Sequence, residues 1–405
     1  MTRLIEILIS LAIVAVLFVA VGFLLPSSRH IENSVETNRK LTIVYDTISS
    51  FRRFDEWNTL ALRDPRMDVN LAGPEEGVGA RFVYSSEEEE VGEGSWEIIE
   101  AVPNKSVTFK ITDDKSGKNK ITKFILEPTG RNNRNVKITQ TYDVDYGMNL
   151  LGRFAGLYVS SNFGGDMKMG LSRLTNMLAA VPNYDYAELS KDDPSMAPSI
   201  TQRPAQTLLV VGAAVERNND VVQRTMKNNM QWIDKVMKAN GLEPAGPVRI
   251  ITNEFGSENY SFEVAQPVRL AGSGEDGPEA ADEATAAESE GDAAAGDEAG
   301  TDGEAEVDAV TGTSIIASAK EFPSGGPLDI ELQGPVEVVQ VEAGPVAMVP
   351  FKGHMANLAN VRDALRGWAM TRGYQSVDRP YEAWVDGIDA GFTENGEFVV
   401  YWAIK

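Results

Sequence analysis

The N-terminal run from Ile7 to Leu25 constrains this chain more than any other feature. It contains 19 residues without a charge, and 14 of them are Leu, Ile, Val or Phe. A backbone in hydrocarbon has to satisfy its own hydrogen bonds, so a run of this kind folds as a helix. At about 1.5 Å per residue it extends about 28 Å, close to the thickness of a hydrocarbon core. We therefore predict a single-pass membrane anchor within residues 1–30.

The alternative for this run is a cleaved signal peptide. The run is longer than the usual apolar core of such a peptide, and Ala20-Val21-Gly22 is the nearest approach to a cleavage site. Basic residues lie on both sides of the run. Charge counting therefore leaves the orientation of the anchor open.

Composition and charge exclude several classes of function. The chain has 37 Lys plus Arg against 60 Asp plus Glu, and its net charge of -23 would repel a phosphate backbone, so no nucleic-acid partner is predicted. It has no cysteine, which removes disulfides, thiolate nucleophiles and Cys-ligated zinc. With two histidines, a catalytic triad would have to use His30 or His354. We predict no metal site and no cofactor.

The segment 271–312 carries much of the negative charge. It has 14 acids, no Lys or Arg and no aromatic residue. Too few large apolar side chains are present to offset the backbone entropy lost on ordering, about 1–2 kcal/mol per residue. We predict a disordered acidic loop that a short Gly/Ser linker can replace. An acidic docking or cation-buffering arm is the alternative.

The segment after the anchor has the pattern of helix, strands and helix. Apolar residues three and four apart predict a helix over 39–54, and a second amphipathic helix is predicted over 154–178. Between them, runs of strand-forming residues are separated by turn-rich stretches. The predicted antiparallel strands are 80–85, 94–102, 106–112, 121–128 and 135–144.

Five motifs in order give this segment a family resemblance. They are LPSS (25–28), RRFDEW (52–57), GPEEGVGARFVY (73–84), GSWEIIEAVPNKSVTFKI (94–111) and GLSRLTNML (170–178). The segment resembles polyketide cyclase/START-like (SRPBCC) proteins over about residues 34–180. The resemblance implies a helix-grip fold for residues 31–181. In this fold a curved antiparallel sheet wraps around a long C-terminal helix and encloses an apolar cavity.

The aromatic and apolar residues of this segment are the candidate ligand-binding residues. The lining set consists of Trp57, Phe82, Trp96, Phe109, Phe124, Tyr142, Phe163 and Met167. A filled hydrophobic core, which small antiparallel folds also build from such residues, is the alternative. Among these residues no acid–base pair is placed for catalysis, which favours binding.

A second domain is predicted over 205–405, after a Pro-rich and Asp-rich linker at 182–204. Its two halves, before and after the acidic loop, each have the pattern β-α-β-β. The stretch 351–387 resembles the gyrase-inhibitor-like effector-binding domain, which implies a groove between the repeats for small aromatic or cationic molecules. Many members carry a Glu on the last strand. Here that strand reads FVVYWAI (398–404) and contains no Glu. The whole chain is thus predicted to be α+β, with an anchor, a helix-grip domain and a duplicated β-α-β-β domain.

Five residues of the second domain are candidates for its groove: His354, Glu382, Trp384, Tyr401 and Trp402. Glu382 and Trp384 share one face of a strand by period-two geometry. An acid beside an aromatic wall is what recognition of a cationic aromatic molecule needs. An exposed acid, a partly buried Trp and a surface or capping histidine are the alternatives.

These observations predict a membrane-tethered, non-catalytic protein that binds small hydrophobic or cationic aromatic molecules. The membrane would be a bacterial inner membrane, with the globular part on the periplasmic side, because anchored helix-grip proteins are arranged so and long domains translocate regardless of charge. Two alternatives remain open at this point. One is a hydrolase that uses Glu382 in the C-terminal groove, and the other is an envelope interaction protein.

Overall fold

The computed structural model describes residues 2–273 and 328–405, and residues 274–312 of the predicted acidic loop lie outside the described residues. The helices are α1 (Thr2–Leu24), α2 (Leu41–Ile48), α3 (Phe54–Trp57), α4 (Leu60–Arg63), α5 (Leu150–Ala155), α6 (Val159–Ala179), α7 (Asn219–Ala239), α8 (Leu358–Thr371) and α9 (Gly387–Gly391). The strands are β1 (Ser28–Thr37), β2 (Asp68–Ala72), β3 (Arg81–Ser85), β4 (Glu93–Val102), β5 (Ser106–Asp113), β6 (Lys118–Thr129), β7 (Asn135–Asp145), β8 (Ser199–Arg203), β9 (Gln206–Glu216), β10 (Leu242–Pro244), β11 (Val248–Phe255), β12 (Asn259–Leu270), β13 (Glu337–Val341), β14 (Gly344–Lys352), β15 (Ser376–Trp384) and β16 (Glu397–Ile404).

The first sheet is a curled antiparallel half-barrel that holds α6 on its inner face. Its strand order is β1-β7-β6-β5-β4-β3-β2. Along α6 the buried residues include Met167, Leu171, Leu174 and Leu178, spaced four, three and four apart, so one stripe of the helix faces the sheet. At Gly164 a Cβ would lie 3.5 Å from Ile31 of β1, an ordinary van der Waals distance, so the helix packs directly against the edge strand. The helix-grip arrangement expected from the sequence fits this sheet and helix.

The predicted strands of this sheet are present, and two further strands complete it. β1 and β2 occupy the two edges, where only one side of a strand is paired and few large apolar residues are needed. Both predicted helices are interrupted. The first ends at Ile48, before the Ser50–Glu76 bridge, and resumes as α3 at Phe54, while the second divides into α5 and α6 around Gly156.

The second sheet is also antiparallel, and α7 and α8 cover one of its faces. Its order within the described residues is β13-β9-β12-β11-β15-β16-β14-β8, with β10 paired to β12. The order β9-β12-β11 of one half is mirrored by β15-β16-β14 in the other, and the two halves meet where β11 pairs with β15. The apolar side chains of α7 and α8 join the helix-facing side of this sheet in one core.

The segment predicted as a linker, 182–204, is not an open connection. Its residues 199–203 form β8, which pairs with β14 at the edge of the second sheet. Tyr186 is buried, and its hydroxyl donates a 2.6 Å hydrogen bond to Asp46 of α2. Ala364 of α8 is fully buried in the core of the first domain. The two domains therefore share packed residues along α8.

The helix α1 is long and apolar enough to cross a membrane by length and composition. Its stretch Ile5–Leu24 has a mean hydropathy of 3.1 and is almost wholly exposed. A signal sequence passes the same test of length and composition. At its C-terminal end α1 contacts α5, where the rings of Phe18 and Phe154 stack with their centroids 4.2 Å apart.

Candidate functional site

A cavity of about 140 Å³ lies between the inner face of the first sheet and α6. The sheet supplies side chains from β3, β4, β5 and β7, while α3, α4 and α6 close the other side. Its apolar and aromatic walls are formed by Trp57, Leu60, Tyr84, Val91, Trp96, Ile111, Phe163 and Met167. The cavity therefore sits where a helix-grip fold is expected to hold a ligand.

An ion pair between two helices lies at the edge of this cavity. Nη2 of Arg63 on α4 donates to both carboxylate oxygens of Asp166 on α6, at 2.9 and 2.7 Å. Both side chains are partly exposed, in contrast to the buried aromatic walls. The ion pair thus gives the cavity a polar rim and links α4 to the helix that the sheet wraps.

The polar groups inside the cavity are mostly committed to partners within the protein. Asp113 forms an ion pair with Lys120, and Nε2 of the buried Gln140 donates to Thr122 at 3.1 Å. Burial raises the pKa of Tyr84, so its phenol stays protonated at neutral pH. Paired carboxylates and a neutral phenol favour the binding of an uncharged molecule over proton transfer.

Four of the eight residues predicted to line the cavity do so, namely Trp57, Trp96, Phe163 and Met167. The other four are a correction, because Phe82, Phe109, Phe124 and Tyr142 do not line it. Phe109 and Phe124 are fully buried and pack edge to face with their centroids 5.7 Å apart, and Tyr142 stacks on Phe163 at 3.8 Å. The tight curl of the sheet brings these rings together, so they fill the core.

Other residues of the site were not predicted from the sequence. They include Leu60, Arg63, Tyr84 and Asp166, which come from a short helix, a strand and the polar flank of α6. One signal was available, because Gln140 is a polar residue on the buried face of a strand. A buried amide on such a face indicates either a hydrogen-bond partner or a cavity.

In the second domain, the candidate acid Glu382 is fully buried and already paired. Its Oε1 accepts a 2.7 Å hydrogen bond from Nη1 of Arg362 on α8, and the same nitrogen donates to Thr252 at 2.8 Å. Burial raises the pKa of Glu382, although Arg362 opposes the rise. Burial, with Glu382 adding to it, also raises the pKa of the neighbouring Tyr260 to about 12. The chain thus supplies its own cation where a cationic ligand was expected to bind.

The other candidates of the second domain do not form one wall. Trp384 is buried, and Nε1 of Trp402 donates a 3.0 Å hydrogen bond to the carbonyl of Arg362, so both lie with Glu382 on the helix side of the sheet. Tyr401 lies on the opposite face. The structure therefore corrects the prediction of a single groove that contains all of them.

His354 has a structural contact. Its Nδ1 accepts a 3.1 Å hydrogen bond from the backbone N–H of Ala356, which caps the short 3₁₀ turn before α8. This is the capping alternative considered from the sequence. In this arrangement the Nδ1 atom of the imidazole is used by the backbone.

Comparison with known proteins agrees with the fold of the first domain. Residues 28–179 match the family model described as "Polyketide cyclase / dehydrase and lipid transport". No curated protein matches the sequence. The match covers the first sheet, α6 and the cavity, and it suggests hydrophobic ligand binding for this part of the chain.

Solved structures give weaker likenesses. The C-terminal domain of EcmrR is 14% identical, covers 51% of this chain and 96% of its own, and has a TM-score of 0.32. Truncated norcoclaurine synthase from Thalictrum flavum is 12% identical, covers 38% of this chain and 94% of its own, and has a TM-score of 0.30. TM-scores of this size do not establish a shared fold.

Proposed function

We propose that this chain is a non-catalytic binding protein for small hydrophobic molecules, and that α1 tethers it to a membrane. The observation that carries the proposal is the cavity of about 140 Å³ with aromatic walls, the ion pair of Arg63 and Asp166 at its rim and the ion-paired Asp113 inside it. The family match over residues 28–179 supports a hydrophobic ligand.

The size of the cavity limits the ligand. A dry apolar cavity of about 150 Å³ holds one benzene molecule. A cavity of about 140 Å³ therefore suits a molecule with one aromatic ring, and a long acyl chain would require α6 or the α3–α4 segment to move. We propose a compact aromatic or alicyclic ligand on this ground.

A pair of matched variants tests this function. Leu60→Trp places an indole in the cavity, whereas Leu62→Trp changes an exposed residue of the same helix that does not line it. We expect uncharged single-ring aromatic compounds to raise the melting temperature of the wild type and of Leu62→Trp, and to have no effect on Leu60→Trp. Equal stabilisation of all three proteins would reject the cavity as the binding site.

For the membrane anchor, we propose that α1 is retained and that the globular part lies on the periplasmic side of a bacterial inner membrane. After a carbonate wash the protein should remain in the membrane pellet, and its release would reject anchoring. A reporter fused after Lys405 should be active outside the cytoplasm. A fusion active only in the cytoplasm would reverse the proposed orientation.

The second domain is proposed to be a gyrase-inhibitor-like ligand-binding domain, on its sequence resemblance and its mirrored strand order. The hydrolase alternative depends on Glu382, whose carboxylate is fully buried and bound to Arg362. Glu382→Gln should therefore leave ligand binding unchanged and should cause no loss of turnover. A hydrolytic activity that disappears in Glu382→Gln would favour the hydrolase.

A further inference from the structure

The second sheet carries two arginines on the face opposite its helices. Arg249 of β11 and Arg203 of β8 both lie against the ring of Tyr381 on β15, with 5.1 and 5.9 Å between each guanidinium carbon and the ring centroid. Tyr381 in turn stacks on Tyr401, with centroids 4.8 Å apart and planes 11° apart. The curl of the sheet thus brings together residues from strands that are far apart in its order.

Neither arginine has an acidic partner among the described residues. No carboxylate oxygen there lies within 4 Å of either guanidinium. Arg249 donates to the neutral amide oxygen of Gln206 at 2.6 Å, and Arg203 donates to the carbonyl of Glu342 at 3.3 Å. The Nε atoms of both arginines are buried without a partner in this part of the chain. Buried charges in proteins are normally paired, and this chain has 60 acids for 37 bases.

The environment of Arg249 shows the cost of this arrangement. Burial lowers its pKa, Tyr381 and Tyr401 oppose the fall, and the neighbouring charge of Arg203 adds to it. Two like charges close together in a partly desolvated site repel each other, and an anion between them would relieve the repulsion. A guanidinium binds a carboxylate through two parallel hydrogen bonds, so this site is suited to a carboxylate.

We propose that Arg203, Arg249 and Tyr381 form a binding site for a small organic carboxylate with an apolar substituent. The cavity beside them has a volume of about 60 Å³, and its apolar lining residues include Leu208, Val339 and Val341. Its lining also contains Glu263 and Asp378, and both of these carboxylates are paired with Arg379. One water molecule takes about 30 Å³ of liquid volume, so this cavity holds a carboxylate group but not a ring. The apolar substituent then rests on the valines at its edge. The charge preference is the reverse of the cationic ligand predicted from the sequence.

The test is calorimetric titration of the full-length protein in detergent with benzoate, benzylamine and benzyl alcohol. Benzoate should bind, and Arg249→Met should weaken it at least tenfold. Arg269→Met, which removes an exposed arginine of β12 that is paired with Glu243, should bind benzoate like the wild type. Unchanged binding by Arg249→Met, no binding by the wild type, or a preference for benzylamine would each overturn the proposal.

A second readout separates this site from the first cavity and from a structural role. Without an anion, Arg249→Met should have a higher melting temperature than the wild type because it removes a half-buried charge that has no acidic partner among the described residues. A lower melting temperature would show that the arginine holds the fold together. Leu60→Trp should bind benzoate normally. If benzoate binding is lost in Leu60→Trp and kept in Arg249→Met, the anion binds in the helix-grip cavity and the present proposal is wrong.

A different observation concerns the segment that joins β7 to α6. Four large apolar side chains of this segment are exposed, namely Met148, Leu151, Leu157 and Tyr158, with exposures of 51–72%. On the surfaces of soluble proteins, exposed large apolar side chains are usually scattered, whereas these four fall within eleven residues of the chain. Together these four residues form an apolar segment.

The apolar segment is attached to the end of α1. Phe154 stacks on Phe18 of α1, and a Cβ at Gly22 would lie only 3.2 Å from Phe154, so the glycine permits this close contact. Arg153 donates hydrogen bonds to the carbonyls of Gly22, Phe23 and Leu25, at 3.2–3.4 Å. These carbonyls belong to the last turn of α1 and the residue after it, where the helix would leave the hydrocarbon.

We infer that the apolar segment lies in the headgroup region of the bilayer that α1 crosses. This inference rests on the membrane tether proposed above. Apolar side chains with Tyr and Arg beside them are typical of that region. Phe163, which lines the helix-grip cavity, follows Tyr158 by five residues, or about 7 Å along a helix. The cavity is thus held close to the bilayer surface, and a hydrophobic ligand dissolved in the bilayer can reach it.

The absence of cysteine allows a direct test. Single cysteines at Leu151, Leu157 and, as an exposed control away from this segment, Leu62 are labelled with an environment-sensitive fluorophore in vesicle-reconstituted full-length protein. The labels at the first two positions should show blue-shifted emission and the control should not. Water-like emission at all three positions in protein that floats with the vesicles would overturn the inference. Protein that does not float would instead refute the tether.

Discussion

The buried ion pair between Arg362 and Glu382 gives the sharpest stability prediction. The side chain of Glu382 is 1% exposed and that of Arg362 is 9% exposed. Arg362→Met keeps most of the volume and removes the charge, so it leaves a carboxylate without its partner in the core. Breaking such a pair costs about 3–5 kcal/mol of unfolding free energy. At 2–4 °C per kcal/mol for a domain of this size, the melting temperature should fall by about 6–20 °C.

The pH dependence of the stability of Arg362→Met tests whether the unpaired carboxylate of Glu382 causes the destabilisation. Burial raises the pKa of Glu382 and Arg362 opposes the rise, so its removal raises this pKa further. An acid with a raised folded-state pKa binds its proton more tightly in the folded state. The variant is therefore most stable below the unfolded value, near pH 4, and loses stability as the pH rises through the folded value. The difference from the wild type should grow as the pH rises through the folded-state pKa of Glu382 in the wild type towards the higher pKa in the variant.

Denaturant titrations of three variants provide the assay. The double variant Arg362→Met, Glu382→Leu removes both charges and should lie within about 1 kcal/mol of the wild type. Arg366→Met is the control, because Arg366 is exposed on the same helix and its contact with Trp402 is worth about 0.5–1 kcal/mol. A cost below 1 kcal/mol for Arg362→Met, or a deficit that does not shrink in acid, would refute the reasoning.

Three further substitutions should destabilise the fold in calorimetry or denaturant titration. Phe109→Ala empties a fully buried position among packed rings and should cost about 3–5 kcal/mol, and a cost near zero would contradict the filled core. Gly391→Ala puts a methyl group against the buried ring of Trp384 and should cost about 1–3 kcal/mol, so unchanged stability would contradict that contact. Tyr186→Phe leaves Asp46 without its strongest hydrogen bond and should cost about 1–3 kcal/mol, which unaltered unfolding would disprove.

The sequence predicted the interior strands of both sheets because each of them alternates or is continuously apolar. It did not predict β1 or β2. In β1 the half-buried positions include Ile31, Asn33 and Val35, so a polar residue breaks the alternation. An edge strand pairs on one side only, and its sequence therefore needs less apolar character. β8 was hidden for the same reason within a stretch rich in Pro and Ser.

The site was harder to predict than the fold because it depends on curvature. Local alternation correctly places Glu382 and Trp384 on one face, but it does not say that α8 covers that face with Arg362. Likewise, Arg203 and Arg249 lie on strands separated by three others in the sheet order, and only the curl brings them to the same ring. Contacts of this kind leave no signal in the local sequence.

The helix α8 joins the two domains into one unit of stability, which leads to the last prediction. Ala364 is fully buried in the first core, whereas Leu365, its neighbour, is fully buried in the second. Unfolding of either core would thus also disturb the residues of α8 that the other core buries. We therefore expect one calorimetric transition whose measured enthalpy equals the van't Hoff enthalpy. Ala364→Asp buries an unpaired charge on the first-domain side only and should divide the transition in two. Two transitions in the wild-type protein would show that the shared helix does not couple the domains.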